Sequence, residues 1–161
     1  ELSRKIAAEI TKYAAEYQAG VIVFEYLEMQ EKYPEKRNKS FIYGEADIQK
    51  LCEHQAIGTG FVSQESVPEH QQAGCDGSGA VVRNQENHSL CTFRTGKQYN
   101  CDLSASYNIG ARYFIRELLK PLPETERSSL EAKVPAVKRR TSCVYADLRK
   151  LYVEVNNLKA A

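Results

Sequence analysis

An α/β fold is what this sequence predicts, and three patterns carry the prediction. Leu2, Ile6, Ile10, Tyr13 and Tyr17 recur in steps of four, four, three and four, the spacing of one face of a helix over about residues 2–18. Gly20 is expected to end that helix. Residues 21–24, Val-Ile-Val-Phe, then form an unbroken apolar run rich in β-branched side chains, as in a strand buried on both faces. A second helical period opens at Asp102, with Leu103, Tyr107, Phe114 and Leu118 on one face and Ile109 and Tyr113 beside it, and Pro121 stops it.

The segments between follow from local chemistry. Residues 28–39 are densely charged and contain Pro34, which predicts a solvated loop. Ile48, Leu51 and Cys52 suggest a helix running to Ala56, ended by Gly58 and Gly60 before a short strand at 61–63. Residues 64–101 hold Gly74, Gly77 and Gly79 around Asp76, with β-rich pieces at 80–83 and 90–95, which predicts a small hairpin insert. Residues 121–140 read as a charged linker, and a last helix is expected over about 143–155 with Ser142 as its cap.

Composition sets outer bounds. A chain of 161 residues with 42% hydrophobic side chains can bury one ordinary core. Lysine and arginine number 22 against 21 acids, so any surface for a polyanion has to be local. The chain opens on Glu1 with no charged-then-apolar leader, and no apolar run approaches the ~20 residues that span a bilayer, so a soluble, cytoplasmic chain with no membrane partner is expected. Five widely spaced cysteines are unlike a secreted disulfide framework, so reduced thiols are expected.

Two carboxylates stand out. Glu25 follows the apolar run, at the strand end where open α/β sheets bind ligands, and a charge there needs a partner or a cation. By itself it reads equally as a partly exposed strand-end acid. Asp102 opens a helix and, taken alone, reads as an N-cap.

The sequences around them add a resemblance. Val21-Ile22-Val23-Phe24-Glu25-Tyr26-Leu27 resembles the strand that carries the second catalytic acid in RuvC-like domains of transposon-encoded TnpB proteins and type V CRISPR effectors. Cys101-Asp102-Leu103-Ser104-Ala105-Ser106-Tyr107-Asn108-Ile109 is similar to the third acidic motif of that family. Glu45-Ala46-Asp47-Ile48-Gln49-Lys50, with Glu53 and His54, lies where the family has a bridging helix, and residues 74–79 with Cys91, Gly96, Lys97 and 99–102 look like a zinc ribbon that has lost most of its cysteines.

The resemblance implies a partial RNase H-like (RuvC) fold over residues 1–119, with a degenerate zinc-ribbon insert at 64–101, followed by a linker and C-terminal helix at 120–161. It implies Glu25 and Asp102 as ligands of magnesium or manganese in two-metal hydrolysis of DNA phosphodiesters, with a guide RNA as partner of the full-length parent. Magnesium suits carboxylate oxygens. Zinc at Cys75, Cys91 and Cys101 with His70 and His88 is disfavoured by their irregular spacing, so a metal-free hairpin packed by Val81, Leu90 and Phe93 is expected. Arg83, Arg94, Lys97, Arg112 and Arg116 around Asp102, with Lys36, Arg37 and Lys39 in the charged loop and stacking faces at Tyr99, Tyr107 and Tyr113, are candidate phosphate and base contacts. Lys138, Arg139 and Arg140 read as a solvated cluster.

The family also uses an aspartate on a first strand, and none of Asp47, Asp76 and Asp147 follows a β-branched run. The fragment alone is therefore expected to be inactive. The competing readings are a nuclease-dead nucleic-acid-binding module and a relic that serves only as a packing domain.

Overall fold

The computed structural model describes residues 1–26, 39–55, 61–66, 73–140 and 142–160. The architecture is mixed α/β, and the chain divides into two compact units, Glu1–Ser66 and Val67–Ala161. The tail belongs to the same compact unit as the ribbon and the helix at Asp102. Among the described residues no helix is long and apolar enough to cross a membrane.

In the first unit, helix α1 (Leu2–Glu16) precedes strand β1 (Val21–Tyr26), and helix α2 (Lys39–Gln55) leads to strand β2 (Phe61–Ser66). The two strands pair in parallel, in register from Val21 opposite Phe61 to Tyr26 opposite Ser66. A parallel pair joined through a helix is the βαβ arrangement that an apolar, β-branched strand favours. The expected loop at 28–39 and the glycines at 58 and 60 fall on residues outside the described set, apart from Lys39, which opens α2.

Helix α1 ends before Gly20. Gln18 adopts a left-handed φ of 51°, and its N–H and that of Ala19 donate to the carbonyls of Ala15 and Ala14, closing a Schellman turn without glycine. The face of α1 that packs on α2 is also not the predicted one. Ala7 is fully buried near the equally buried Cys52, and Thr11 Oγ1 donates to Gln55 Oε1 at 3.0 Å. Leu2, Tyr13 and Tyr17 are exposed. A small side chain at the contact lets two helix backbones approach closely, and here that outweighs the larger apolar stripe.

The second unit begins with an antiparallel ribbon of three short strands, β3 (Val82–Arg83), β4 (Leu90–Thr92) and β5 (Gln98–Asn100). The sequence had suggested two β pieces, and β5 is the third. Helix α3 (Cys101–Leu119) follows β5 directly. Residues expected to form a linker instead fold into helix α4 (Glu124–Lys133) and a 3-10 turn (Pro135–Lys138), and helix α5 (Tyr145–Ala160) completes the unit.

A single core explains the tail's order. Ile115 and Leu119 of α3 are buried with Leu130, Val134, Val137, Cys143, Leu151 and Val155. Leu130, Val134 and Val137 sit at i, i+4 and i+7, the period of a buried helical face, inside a stretch whose charges suggested a linker. Ser142 does not cap α5, since its hydroxyl donates to the Arg139 carbonyl. The Val144 N–H donates instead to Asp147 Oδ2 at 2.9 Å, so a carboxylate one turn inside the helix closes its start.

Candidate nucleic-acid interface

Glu25 occupies the penultimate position of β1, opposite Glu65 in the register of the parallel pair. The strand is the one expected from its apolar run. Gln49 of α2 donates through Nε2 to the Glu25 carbonyl at 3.2 Å, fixing the end of the strand against the helix that follows it.

Asp102 is the second residue of α3 and is exposed. The cap is Asn100, whose Oδ1 accepts the Leu103 N–H at 2.8 Å. Asp102 is thereby released from the capping role its position suggested, and its carboxylate lies in the first turn, where the helix dipole favours negative charge. Glu25 belongs to the first unit and Asp102 to the second. Both offer hard oxygen donors of the kind magnesium takes. Among the described residues no group of three or more histidine, cysteine, aspartate or glutamate side chains is arranged to hold a metal ion.

The ribbon gathers Cys75, Cys91, Cys101, Phe93, Val81 and Tyr99 into a small apolar cluster. Leu90, expected among its packing residues, is only half-buried at the edge. Burial, reinforced by the hydrogen-bonded Cys101 thiol, pushes Cys91 up to about 11. All five cysteines are thiols. His88 is exposed, and His70 lies outside the described residues.

Two glycine turns close the ribbon, with Gly77, Gly79 and Gly96 at positive φ. Asp76 ties them together: its Oδ1 accepts from the Ser78 N–H and hydroxyl, and its Oδ2 from Thr95 Oγ1 at 3.4 Å. Burial alone would raise this carboxyl, but the bonds from Ser78 and Thr95 outweigh it and hold Asp76 below the usual range.

The five candidate cations separate into distinct environments. Arg83 and Arg94 are exposed, and the Arg94 chain runs across Gly79, whose missing Cβ would sit 3.4 Å from Arg94 Cδ. Lys97 is exposed and holds its Nζ 4.7 Å from the centre of the Tyr99 ring. Arg116 lies 5.3 Å over Tyr113 and pairs with Glu117 at 3.2 Å. Arg112 departs from the expectation: it is 3% exposed on the inner face of α3, with its charge near the Cys143 thiol, and so packs the interior instead of facing a phosphate path. Lys36 and Arg37 lie outside the described residues.

Three residues that organise this surface were given no structural role by the sequence reading. Asn108, fully buried, donates from Nδ2 to the Ala73 carbonyl at 2.9 Å and accepts the Tyr145 N–H on Oδ1 at 3.1 Å. It therefore ties α3 to the ribbon and to the start of α5, and Ala146 N–H adds a bond to the Cys75 carbonyl. Tyr145 stacks on Tyr107 with ring centres 5.1 Å apart. Asn100 could have been found from its place three residues before Leu103, the reach of an N-cap side chain. No family model, no curated protein sequence and no solved structure matches this chain.

Proposed function

We propose that this chain is part of a transposon-associated, nucleic-acid-guided DNA endonuclease with a RuvC-like domain of the RNase H type, in which Glu25 and Asp102 are metal-binding carboxylates. The observation that carries the reading is Asp102: it stands exposed in the first turn of α3 while Asn100 does the capping, within the stretch that resembles the family's third acidic motif. Glu25, at the end of a parallel strand, supports it. Magnesium or manganese, when bound, supplies activation of a water and stabilisation of the leaving 3′ oxygen. The chain's own contribution is to present carboxylate oxygens from rigid elements and to guide the DNA past them.

A second reading is favoured by the other aspartates. Asp76 is engaged by Ser78 and Thr95, Asp147 closes the start of α5, and Asp47 is exposed on α2. Asp76 and Asp147 are thus taken up by the fold and are not offered as further ligands, which suits a nucleic-acid-binding module without nuclease activity. Cleavage assays on a full-length parent separate the two. Magnesium- or manganese-dependent cutting of DNA, abolished by Glu25→Ala or Asp102→Ala with circular dichroism unchanged, is expected of the nuclease. Cutting that survives both substitutions refutes the assignment, and a parent that binds DNA without cutting it supports the second reading.

A further inference from the structure

Resting on the nucleic-acid reading above, we propose that the outer face of α3 is a binding site for single-stranded DNA, with unstacked bases lying on two aromatic platforms and phosphates met by the cations beside them. The first platform is Tyr107 with Tyr145, their rings 5.1 Å apart and 41% and 36% exposed. Tyr107 neighbours Tyr99, and Lys97 lies over Tyr99. The second platform is Phe114, 46% exposed, edge-on to Tyr113 at 5.2 Å, with Arg116 over Tyr113.

Tyr107 and Phe114 are seven residues apart, which places them on one side of the helix about 10 Å apart along its axis. Gly110 lies between them on the same side, and a Cβ built there would meet nothing within 4 Å. A mid-helix glycine costs about 1 kcal/mol relative to alanine, and it leaves the floor between the platforms low. Asp102 lies five residues before Tyr107, about 7 Å along the axis and about 140° around it, so the carboxylate assigned to the metal flanks the platforms on the other side of the helix.

The chemistry selects the occupant. Arg116 stands over Tyr113 of the second platform and Lys97 over Tyr99, a neighbour of Tyr107, and these cations suit a polyanion better than an apolar protein helix. The Arg116–Glu117 pair is partly solvated and contributes little, so a phosphate can replace the glutamate. A duplex hides its base faces, whereas a single strand offers them, and base–aromatic stacking is tolerant of sequence.

Fluorescence anisotropy of the intact chain with labelled oligo-dT of about 20 nucleotides tests this, beside a duplex of similar length and oligo-U. Tyr107→Ala and Phe114→Ala are each expected to weaken oligo-dT binding about fivefold or more and to leave duplex binding unchanged. Tyr107→Phe keeps the affinity within about twofold, whereas Tyr107→Leu, which keeps apolar volume without a π face, loses it like alanine. Lys97→Ala lowers the slope of affinity against salt by about 0.7. The proposal is overturned if both alanine variants bind oligo-dT within about twofold of the parent, if the duplex competes equally well, or if oligo-U binds about tenfold tighter than oligo-dT. If none of the three probes binds, the nucleic-acid reading falls with it, whereas duplex binding that ignores these variants removes the platforms alone.

Discussion

Removing the Asn108 side chain should loosen the joint between α3, the ribbon and α5. Its amide is fully buried and serves two backbone groups distant in sequence, the Ala73 carbonyl at 2.9 Å and the Tyr145 N–H at 3.1 Å. In Asn108→Ala both are left without that partner, at about 1–3 kcal/mol each when water is kept out. Both bonds are only part-buried, so water replaces some of the loss and the expected total is about 2–3 kcal/mol. Asn108→Asp separates donor from acceptor: the carboxylate can still accept from Tyr145 but has no proton for Ala73, and it places a charge in the interior. That variant should be weakest at neutral pH and recover as the pH falls, because the protonated acid regains a donor. Native-state hydrogen exchange at amides of α3 and α5 reads the second unit separately from the first. Faster exchange at Tyr145 is expected, together with loss of global protection. An Asn108→Ala variant within about 0.5 kcal/mol of the parent would refute the reasoning, since even one lost bond should exceed that.

Two further outcomes follow from the same unit. Gly77→Ala meets a φ of +78° and puts a Cβ 2.9 Å from Ala146 Cβ at the start of α5, so a destabilisation of about 1–2 kcal/mol is expected from conformation alone, measured by thermal or urea unfolding. Cys143 is fully buried, donates to the Arg140 carbonyl at 2.8 Å, and is pushed by burial up to about 11 despite the nearby Arg112 charge. A thiol whose folded pKa lies above its unfolded value holds its proton more tightly when folded. Its contribution is therefore full below about 8.5 and is lost as the pH rises towards about 11. Thiol reagents at pH about 8 should label the half-buried Cys75 well before Cys143, and equal rates would contradict the packing.

The elements with a strong period were legible from the sequence: α1, the apolar part of β1, the ribbon's glycine turns and the start of α3. The faces were not. In α1 and again in the first three turns of α3 the large apolar side chains point outward, and the inner face is built mainly from small or polar residues: Ala7 in α1, and Ser104, Ala105, Asn108, Ala111 and Arg112 in α3, where only the last turns bury large apolar groups, Ile115 and Leu119. Periodicity finds where large apolar side chains repeat, but it is blind to a partner that selects the opposite side by close approach or by a hydrogen bond. The partners of Asn108 lie 35 and 37 residues away, and that of Arg112 sits in the tail. The helix in that tail was hidden differently, because Leu130, Val134 and Val137 carry the right spacing among enough charges to resemble a linker.

This rotation of α3 bears directly on Asp102. Six residues separate it from Asn108, about 600° of helix, which leaves the two about 120° apart around the axis. Because Asn108 is held inward by the ribbon and by α5, Asp102 is turned away from the core, and Leu103, Tyr107 and Phe114 are turned out with it. With Asn100 supplying the cap and Asn108 setting the rotation, the Asp102 side chain and the row of Leu103, Tyr107 and Phe114 all face outward, on opposite flanks of the helix. Asn108→Ala therefore also tests the site, since any weakening of oligo-dT binding in that variant should scale with the lost order of α3 and not with a direct contact.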